Sequence, residues 1–228
     1  MTNYISALLL AGGTGSRFGG PTSKQFCTLK SKKVAHYSLD LLLACEQISE
    51  VVIVCDIEHR NQFSEYTSEK IRFANPGKTR QGSVAEGLMQ ISPYADFVCI
   101  HDSARPLLTE ELLLSVLESG INYGAAALAT PAKNTIKEVD TLGFVKKTLD
   151  RSTLWEMQTP QVLSTDLLRR GMAYAEKAKI VATDDVALAE WLGIPTKIVP
   201  SSERNIKITT PNDLIIALAL WEQMHAEV

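Results

Sequence analysis

Residues 5–25 read ISALLLAGGTGSRFGGPTSKQ, and the two halves of this stretch obey different rules. The first six residues form a short, nearly continuous apolar run, the pattern of a strand covered on both faces. It stops at a glycine cluster. Gly12, Gly13 and Gly15 let backbone approach a ligand closely and turn N–H donors toward anionic oxygens. Arg17 and Lys24 add two permanent positive charges to the same loop. A buried strand that ends in a cationic, glycine-rich loop predicts an α/β sheet with an anion site at its carboxyl edge.

The rest of the chain repeats the alternation. Residues 51–55 (VVIVC) and 97–100 (FVCI) read as further buried strands, and 124–130 as another. Residues 34–45 carry helical spacing. Residues 109–122 read as a helix with Thr109 as cap and Glu110 and Glu111 in its first turn. Helices are also expected near 164–177 and 184–192, a strand at 196–199, and a last helix from Pro211, where Thr210 caps and Asp213 follows three residues later. This order predicts a mostly parallel, doubly wound, Rossmann-like sheet in a single domain over 1–228. The segment 134–151 breaks the pattern. It reads as an inserted β-hairpin, 135–139 and 144–149 around Gly143, with apolar residues on both strands. Such an arm needs a covering partner, so a homodimer is expected.

Composition narrows the function. The 228 residues carry a net charge of −3, which gives no reason to expect nucleic acid as a partner, and no apolar run is long enough to span a bilayer. The four cysteines lack metal-ligand spacing, and Cys45, Cys55 and Cys99 lie among apolar neighbours. They read as buried, reduced thiols, and the protein is expected in the cytoplasm.

Two common phosphate-loop readings fail. The dinucleotide fingerprint wants Gly or Ala where Phe18 stands, and the Walker Gly-Lys-Ser/Thr is absent. What remains, G-G-x-G-x-R followed seven residues later by Lys24-Gln25, resembles the signature loop of the sugar-phosphate nucleotidyltransferases. Four further segments follow in order: PGKTRQGSV at 76–84, HDSARP at 101–106, QTPQ at 158–161 and RNIKITTP at 204–211. Together they resemble the 2-C-methyl-D-erythritol 4-phosphate cytidylyltransferase family over residues 11–213. Thr135-Ile-Lys137 and Leu149-Asp-Arg151 are more similar to that family than to its ribitol-5-phosphate relatives. Ser23, Lys78, Ser103 and Asn134 depart from the family's usual residues.

The resemblance implies transfer of CMP from CTP to a small polyol phosphate, with release of pyrophosphate. A phosphate monoester has its second pKa near ~6 and needs no strong base, so charge neutralisation and in-line positioning carry the chemistry. Arg17 and Lys24 are assigned to the triphosphate and the α-phosphoryl charge. Arg151 and Lys207, by resemblance, hold the attacking phosphate. Ala11, Gly12, Gly13, Gly15, Gly77, Arg80, Ser83 and Asp102 are expected around the nucleotide. Arg105, Thr135, Thr159, Thr183 and Thr209 are expected around the polyol phosphate. Mg²⁺ is expected to bridge the phosphates and keep several waters, with Asp102 the nearest carboxylate. Plainer roles stay open. Asp102 and Arg105 can pair with each other, Thr183 can serve only as a helix cap, Gln158 and Gln161 can stabilise a turn, and His101 and the three tryptophans read as structural. A silent nucleotide-binding protein on the same scaffold is the alternative of another class.

Overall fold

In chain order the strands of the computed structural model are β1 (Ile5–Leu10), β2 (Thr28–Leu29), β3 (Lys32–Lys33), β4 (Ile48–Val54), β5 (Ile71–Ala74), β6 (Phe97–Asp102), β7 (Ala125–Pro131), β8 (Lys137–Val139), β9 (Val145–Thr148), β10 (Trp155–Ser164) and β11 (Lys197–Pro200). The helices are α1 (Val34–Ala44), α2 (Arg80–Leu88), α3 (Glu110–Tyr123), α4 (Thr165–Ala178), α5 (Ala187–Trp191) and α6 (Pro211–Ala226). The structure describes residues 3–13, 18 and 23–226.

Seven strands form one sheet in the order β11-β7-β10-β6-β1-β4-β5. All neighbours are parallel except those of β10, which runs antiparallel to both β6 and β7. The apolar runs are continuous because both faces are covered. Ile5, Ala7 and Leu9 of β1 point into a core closed by Leu39 and Leu42 of α1 and Leu113, Val116 and Leu117 of α3. Leu8 points the other way, with Val84 and Leu88 of α2 and Leu167 and Leu168 of α4. Truncating a fully buried leucine such as Leu9 to alanine costs about 2–5 kcal/mol. A third cluster seats α6, through Ala217, on Leu29, Val34, Leu107 and Ile208.

Helix ends follow the side-chain chemistry. Thr109 accepts a hydrogen bond from the Leu112 N–H, and Gly124 closes α3 at φ +80°, a conformation suited to glycine. Asp213 accepts from the backbone N–H groups of Thr209 and Thr210 and fixes the start of α6. Cys45, Cys55 and Cys99 are buried and all four cysteines are free thiols. Trp191 and Trp221 pack against the cores. Trp155, expected to pack, is instead partly exposed at the start of β10.

Several expectations need correction. Residues 158–161 form no turn; they sit inside β10, in the middle of the sheet. Pro160 argues against a central strand because it has no N–H to donate. The strand tolerates it through a register irregularity between Met157 and Gln161, where the ladder to β7 is interrupted. Strand β5 was not anticipated. The helix expected at 184–192 is the shorter α5, and Thr183 does not cap it; Asp184 accepts from the Ala187 N–H at 3.1 Å instead.

The hairpin at 134–151 is present as β8 and β9 and pairs only with itself. Its Val139, Leu142, Phe144 and Val145 are all more than half exposed.

Candidate active site

Strand order places the site. From β1 the chain moves outward through β4 to β5, then returns to lay β6 on the other side of β1. The carboxyl ends of β1 and β6 lie side by side, Leu10 opposite Asp102, at the point where the winding reverses. Crevices at such points are where open α/β sheets bind ligands. Here a cavity of about 390 Å³ is lined by Gly12 and Gly13 after β1, Lys24 and Gln25 of a 3₁₀ turn, Gly77 to Arg80 and Ser83 at the start of α2, Asp102 to Ala104 after β6, and Lys207. Among the described lining residues, four cations (Lys24, Lys78, Arg80 and Lys207) face one carboxylate, Asp102. A mildly acidic protein has thus concentrated positive charge in a concave, partly desolvated place, where its field is strongest.

The loops are held by backbone packing. Gln25 donates to the carbonyls of Ala11 (2.7 Å) and Gly13 (3.1 Å), which pins the glycine loop. A Cβ on Gly12 would run into Pro76, so only glycine lets these two loops meet. Thr79 caps α2 by accepting from Gly82 N–H, and Ser83 Oγ accepts from Gly77 N–H at 3.1 Å. Lys207 is brought over the site by its neighbours. Ile208 N–H donates to Ala104 O at 2.8 Å, and the buried Arg105 donates to Asn205 O at 2.7 Å. Asn205 in turn donates to Gln158 Oε1 and Thr159 O.

Asp102 is the hub. Its Oδ2 lies 2.6 Å from Lys207 Nζ and its Oδ1 3.3 Å from Arg80 Nε. Arg80 also grips Asp185 with both terminal nitrogens, at 2.8 and 2.7 Å. Asp185, Arg80, Asp102 and Lys207 therefore form an alternating chain of charge. Burial alone would raise the Asp102 carboxyl, but Arg80 and then Lys207 outweigh it and hold the group well below the usual carboxylate range. Burial likewise works against the Arg80 charge, and Asp185 and Asp102 overcome it, so the guanidinium stays protonated more firmly than usual. Burial lifts the Asp185 carboxyl despite its pairing. His101 is completely buried, and burial lowers its pKa to about 4, so it is neutral near pH 7.

Of the residues expected from sequence, the structure gathers Gly12, Gly13, Lys24, Gly77, Arg80, Ser83, Asp102 and Lys207 around one cavity. Arg17 and Gly15 lie outside the described residues. Ala11 is buried and spends its N–H on Val54 O at 2.8 Å. Arg105 and Thr159 lie beneath the cavity wall, committed to Asn205 O and to Asp102 N–H respectively. Thr209 donates to Lys207 O at 3.3 Å, and Thr183 is exposed. Thr135 and Arg151 stand on the arm; Arg151 Nη1 donates to Lys133 O, and its side chain borders a separate hollow with Pro131, Lys133 and Asp150. The side chains of Asp102 and Arg105 do not pair with each other, although the Arg105 N–H donates to the Asp102 carbonyl at 3.0 Å; the carboxylate of Asp102 is held by Lys207 and Arg80. Sequence reasoning missed Asp185, Asn205 and the structural work of Gln158 and Gln161. Gln161 Oε1 accepts from the N–H groups of Asp185 and Val186, which holds the Arg80 partner in place. The adjacent acids Asp184 and Asp185, followed by an apolar run, were the available signal.

A cation-lined crevice at the switch point of a mostly parallel sheet, fitted with glycine loops, is the arrangement of a nucleotidyltransferase of the α/β class. A profile of the 2-C-methyl-D-erythritol 4-phosphate cytidylyltransferase family matches residues 5–223, and the chain belongs to that family. The chloroplastic enzyme of that name from rice (Oryza sativa subsp. japonica) is 45% identical over 222 residues, spanning 96% of this chain and 75% of the rice protein. The enzyme of that name from Chlamydia pneumoniae is 40% identical over 94% of this chain and 98% of its own. Among solved structures, the 4-diphosphocytidyl-2C-methyl-D-erythritol synthase of Anaerococcus prevotii superposes with a TM-score of 0.87 at 28% identity, covering 97% of each chain. The Francisella tularensis cytidylyltransferase gives 0.83 at 28% identity, over 96% of this chain and 100% of that one. The protein is a cytidylyltransferase that forms 4-diphosphocytidyl-2-C-methyl-D-erythritol from CTP and 2-C-methyl-D-erythritol 4-phosphate. No helix among the described residues is long and apolar enough to cross a membrane.

Proposed function

We propose that the crevice between β1 and β6 is where CTP and the polyol phosphate meet, and that its own cations carry the transfer. The observation behind this reading is the convergence of Arg80 and Lys207 on Asp102, the one carboxylate among the described lining residues of a cavity that Lys24 also lines. A phosphate-monoester oxygen attacks the α-phosphorus of CTP, forming the new P–O bond as the bond to the β-phosphate oxygen breaks, and pyrophosphate leaves with the electron pair. Both reactants are anions, so lowering their repulsion and aligning them is the main task.

Lys24, with Arg17, neutralises the triphosphate and the charge that builds on the α-phosphoryl oxygens. The backbone at Gly12 and Gly13 cradles phosphate, while Gly77, Arg80 and Ser83 border the nucleoside. Lys207 is held by Asp102 until the attacking phosphate, a stronger anion, takes it over. The neutral His101 is left out of proton transfer, which the nearly dianionic monoester does not need.

The site also suits Mg²⁺. One carboxylate faces the cavity, and no group of three or more metal-binding side chains exists among the described residues, so the donor set fits a cation held by phosphate oxygens, water and Asp102 rather than a protein cage. When bound, it would supply further charge neutralisation on the phosphates.

Arg151 belongs to the second half of the reading. It borders a hollow other than the crevice, and the arm's apolar side chains are exposed. A homodimer in which each arm packs on the other copy covers them and lets Arg151 of the partner subunit reach the polyol phosphate. Pyrophosphate release measured with CTP, UTP, ATP and GTP, each with methylerythritol phosphate and with ribitol phosphate, tests the reading. CTP with methylerythritol phosphate should be turned over fastest; CTP binding without turnover of any acceptor would overturn it.

A further inference from the structure

His101, Thr159 and Ser38 are side chains of three different elements, β6, β10 and α1, and all are almost wholly buried directly behind the cavity. Their hydrogen bonds form one line. Ser38 Oγ donates to Arg105 O at 3.1 Å. His101 Nε2 lies 3.2 Å from Ser38 Oγ, and His101 Nδ1 lies 3.1 Å from Thr159 Oγ1. Thr159 Oγ1 accepts the Asp102 N–H at 3.0 Å. Each hydroxyl has one hydrogen to give, which fixes the direction of every bond. Ser38 spends its hydrogen on the Arg105 carbonyl, so it accepts from the imidazole, and Nε2 carries the proton. Nδ1 is then bare and receives the Thr159 hydroxyl hydrogen. Reversing the tautomer would leave the buried Thr159 O–H without an acceptor and strip Arg105 O of its Ser38 donor, a loss of two buried hydrogen bonds.

We propose that His101 is a positioning residue, held as the neutral Nε2–H tautomer, which with Thr159 and Ser38 fixes both ends of the 102–105 turn and so aims the Asp102 carboxylate. The line grips the turn at the N–H of Asp102 and at the C=O of Arg105. Between those anchors, Asp102, Ser103 and Ala104 line the cavity. The imidazole contacts no substrate; it acts through backbone. A residue interpreted from its sequence motif as merely structural therefore controls the direction of the hub that both Lys207 and Arg80 depend on. This inference rests on the crevice being the site of transfer.

Two measurements test it separately from that reading. In the wild-type protein labelled with ¹⁵N-histidine, long-range ¹H–¹⁵N correlations should show His101 protonated at Nε2 and bare at Nδ1 at pH 7; the opposite tautomer or an imidazolium overturns the proposal whatever the enzyme's activity. Thr159→Val, isosteric but without the hydroxyl, should lose about tenfold or more in kcat/KM for the polyol phosphate, and Thr159→Ser should recover to within about threefold of wild type. A folded Thr159→Val protein with a lowered Tm and unchanged kcat/KM also overturns it, because a purely structural hydroxyl would behave in that way. If Thr159→Val does not fold, the tautomer measurement on the wild type still decides.

Discussion

Lys207 Nζ lies 2.6 Å from Asp102 Oδ2, although Asp102 ends strand β6, Lys207 sits in the loop before α6, and the lysine is about a third exposed. The pair keeps a cation parked over the cavity without collapse onto a random surface acid. Removing either member has different consequences. On the proposed reading Lys207→Ala deletes a charge that meets the attacking phosphate, and kcat/KM for the polyol phosphate should then fall on the order of 10². Lys207→Arg should recover little, because the planar guanidinium cannot reproduce the point contact of an ammonium. Steady-state kinetics with the acceptor varied checks this. An alanine variant with wild-type kcat/KM removes Lys207 from the site.

The pH dependence of stability follows from the same hub. The folded-state pKa of Asp102 is depressed relative to its unfolded value of ~4, so the ionised group stabilises the fold above that value. The contribution is constant at neutral pH and is lost as pH falls through the folded pKa. Asp102→Asn should cost about 1–2 kcal/mol at pH 7, a figure discounted for the partial exposure of Lys207 and Arg80, and the gap to wild type should close below about pH 4. Urea melts at pH 7, 5 and 3.5 measure it. The acid limb of activity should instead fall near ~6, where the substrate phosphate gains its proton. A gap that widens on acidification contradicts the sign.

Much of this arrangement could be read in the sequence because local chemistry set it. The runs at β1, β4 and β6, the Thr109 cap and the Asp213 capping interaction each need only neighbours a few residues away. Strand β10 was hidden because Gln158, Thr159 and Gln161 bury polar side chains, and only distant partners satisfy them: Asn205, Asp102 N–H and the N–H groups at Asp185 and Val186. Asp185 was hidden for the same reason, since a buried carboxylate is tolerable only once Arg80 is folded against it. Thr183 was expected as a cap by residue type, but α5 starts only at Ala187, and it is Asp184 that accepts from the Ala187 N–H. Long-range hydrogen bonding, rather than hydrophobic pattern, separates what was legible from what was not.

Lys24 sits in the 3₁₀ turn Lys24–Phe26, whose Gln25 ties the glycine loop. Its position is thus set by the same contacts that hold the glycine loop at Ala11 and Gly13. If Lys24 meets the charge that grows on the α-phosphoryl oxygens, as proposed, Lys24→Ala should lower kcat on the order of 10² or more while CTP still binds. Comparing kcat from pyrophosphate release with CTP affinity from calorimetry separates the two effects. A variant that loses affinity and keeps kcat assigns Lys24 to ground-state binding alone.

The arm gives the most decisive test of assembly. Arg151 is exposed at the arm's base, with Nη1 donating to Lys133 O, while Lys207 lies over the cavity of the same chain. If each site combines Lys207 of one copy with Arg151 of the partner subunit, Arg151→Ala and Lys207→Ala homodimers should both be nearly inactive. Subunits allowed to exchange freely would give heterodimers in half of the population. Each heterodimer would hold one site with both residues intact and one with neither. Activity should therefore return to about a quarter of wild type per subunit, the signature of a two-fold assembly with shared sites. Recovery should track the fraction of heterodimer resolved by native mass spectrometry. Heterodimer that forms without recovery places Arg151 on its own chain's site or outside the chemistry, and a chain that stays monomeric at assay concentration removes the shared site altogether.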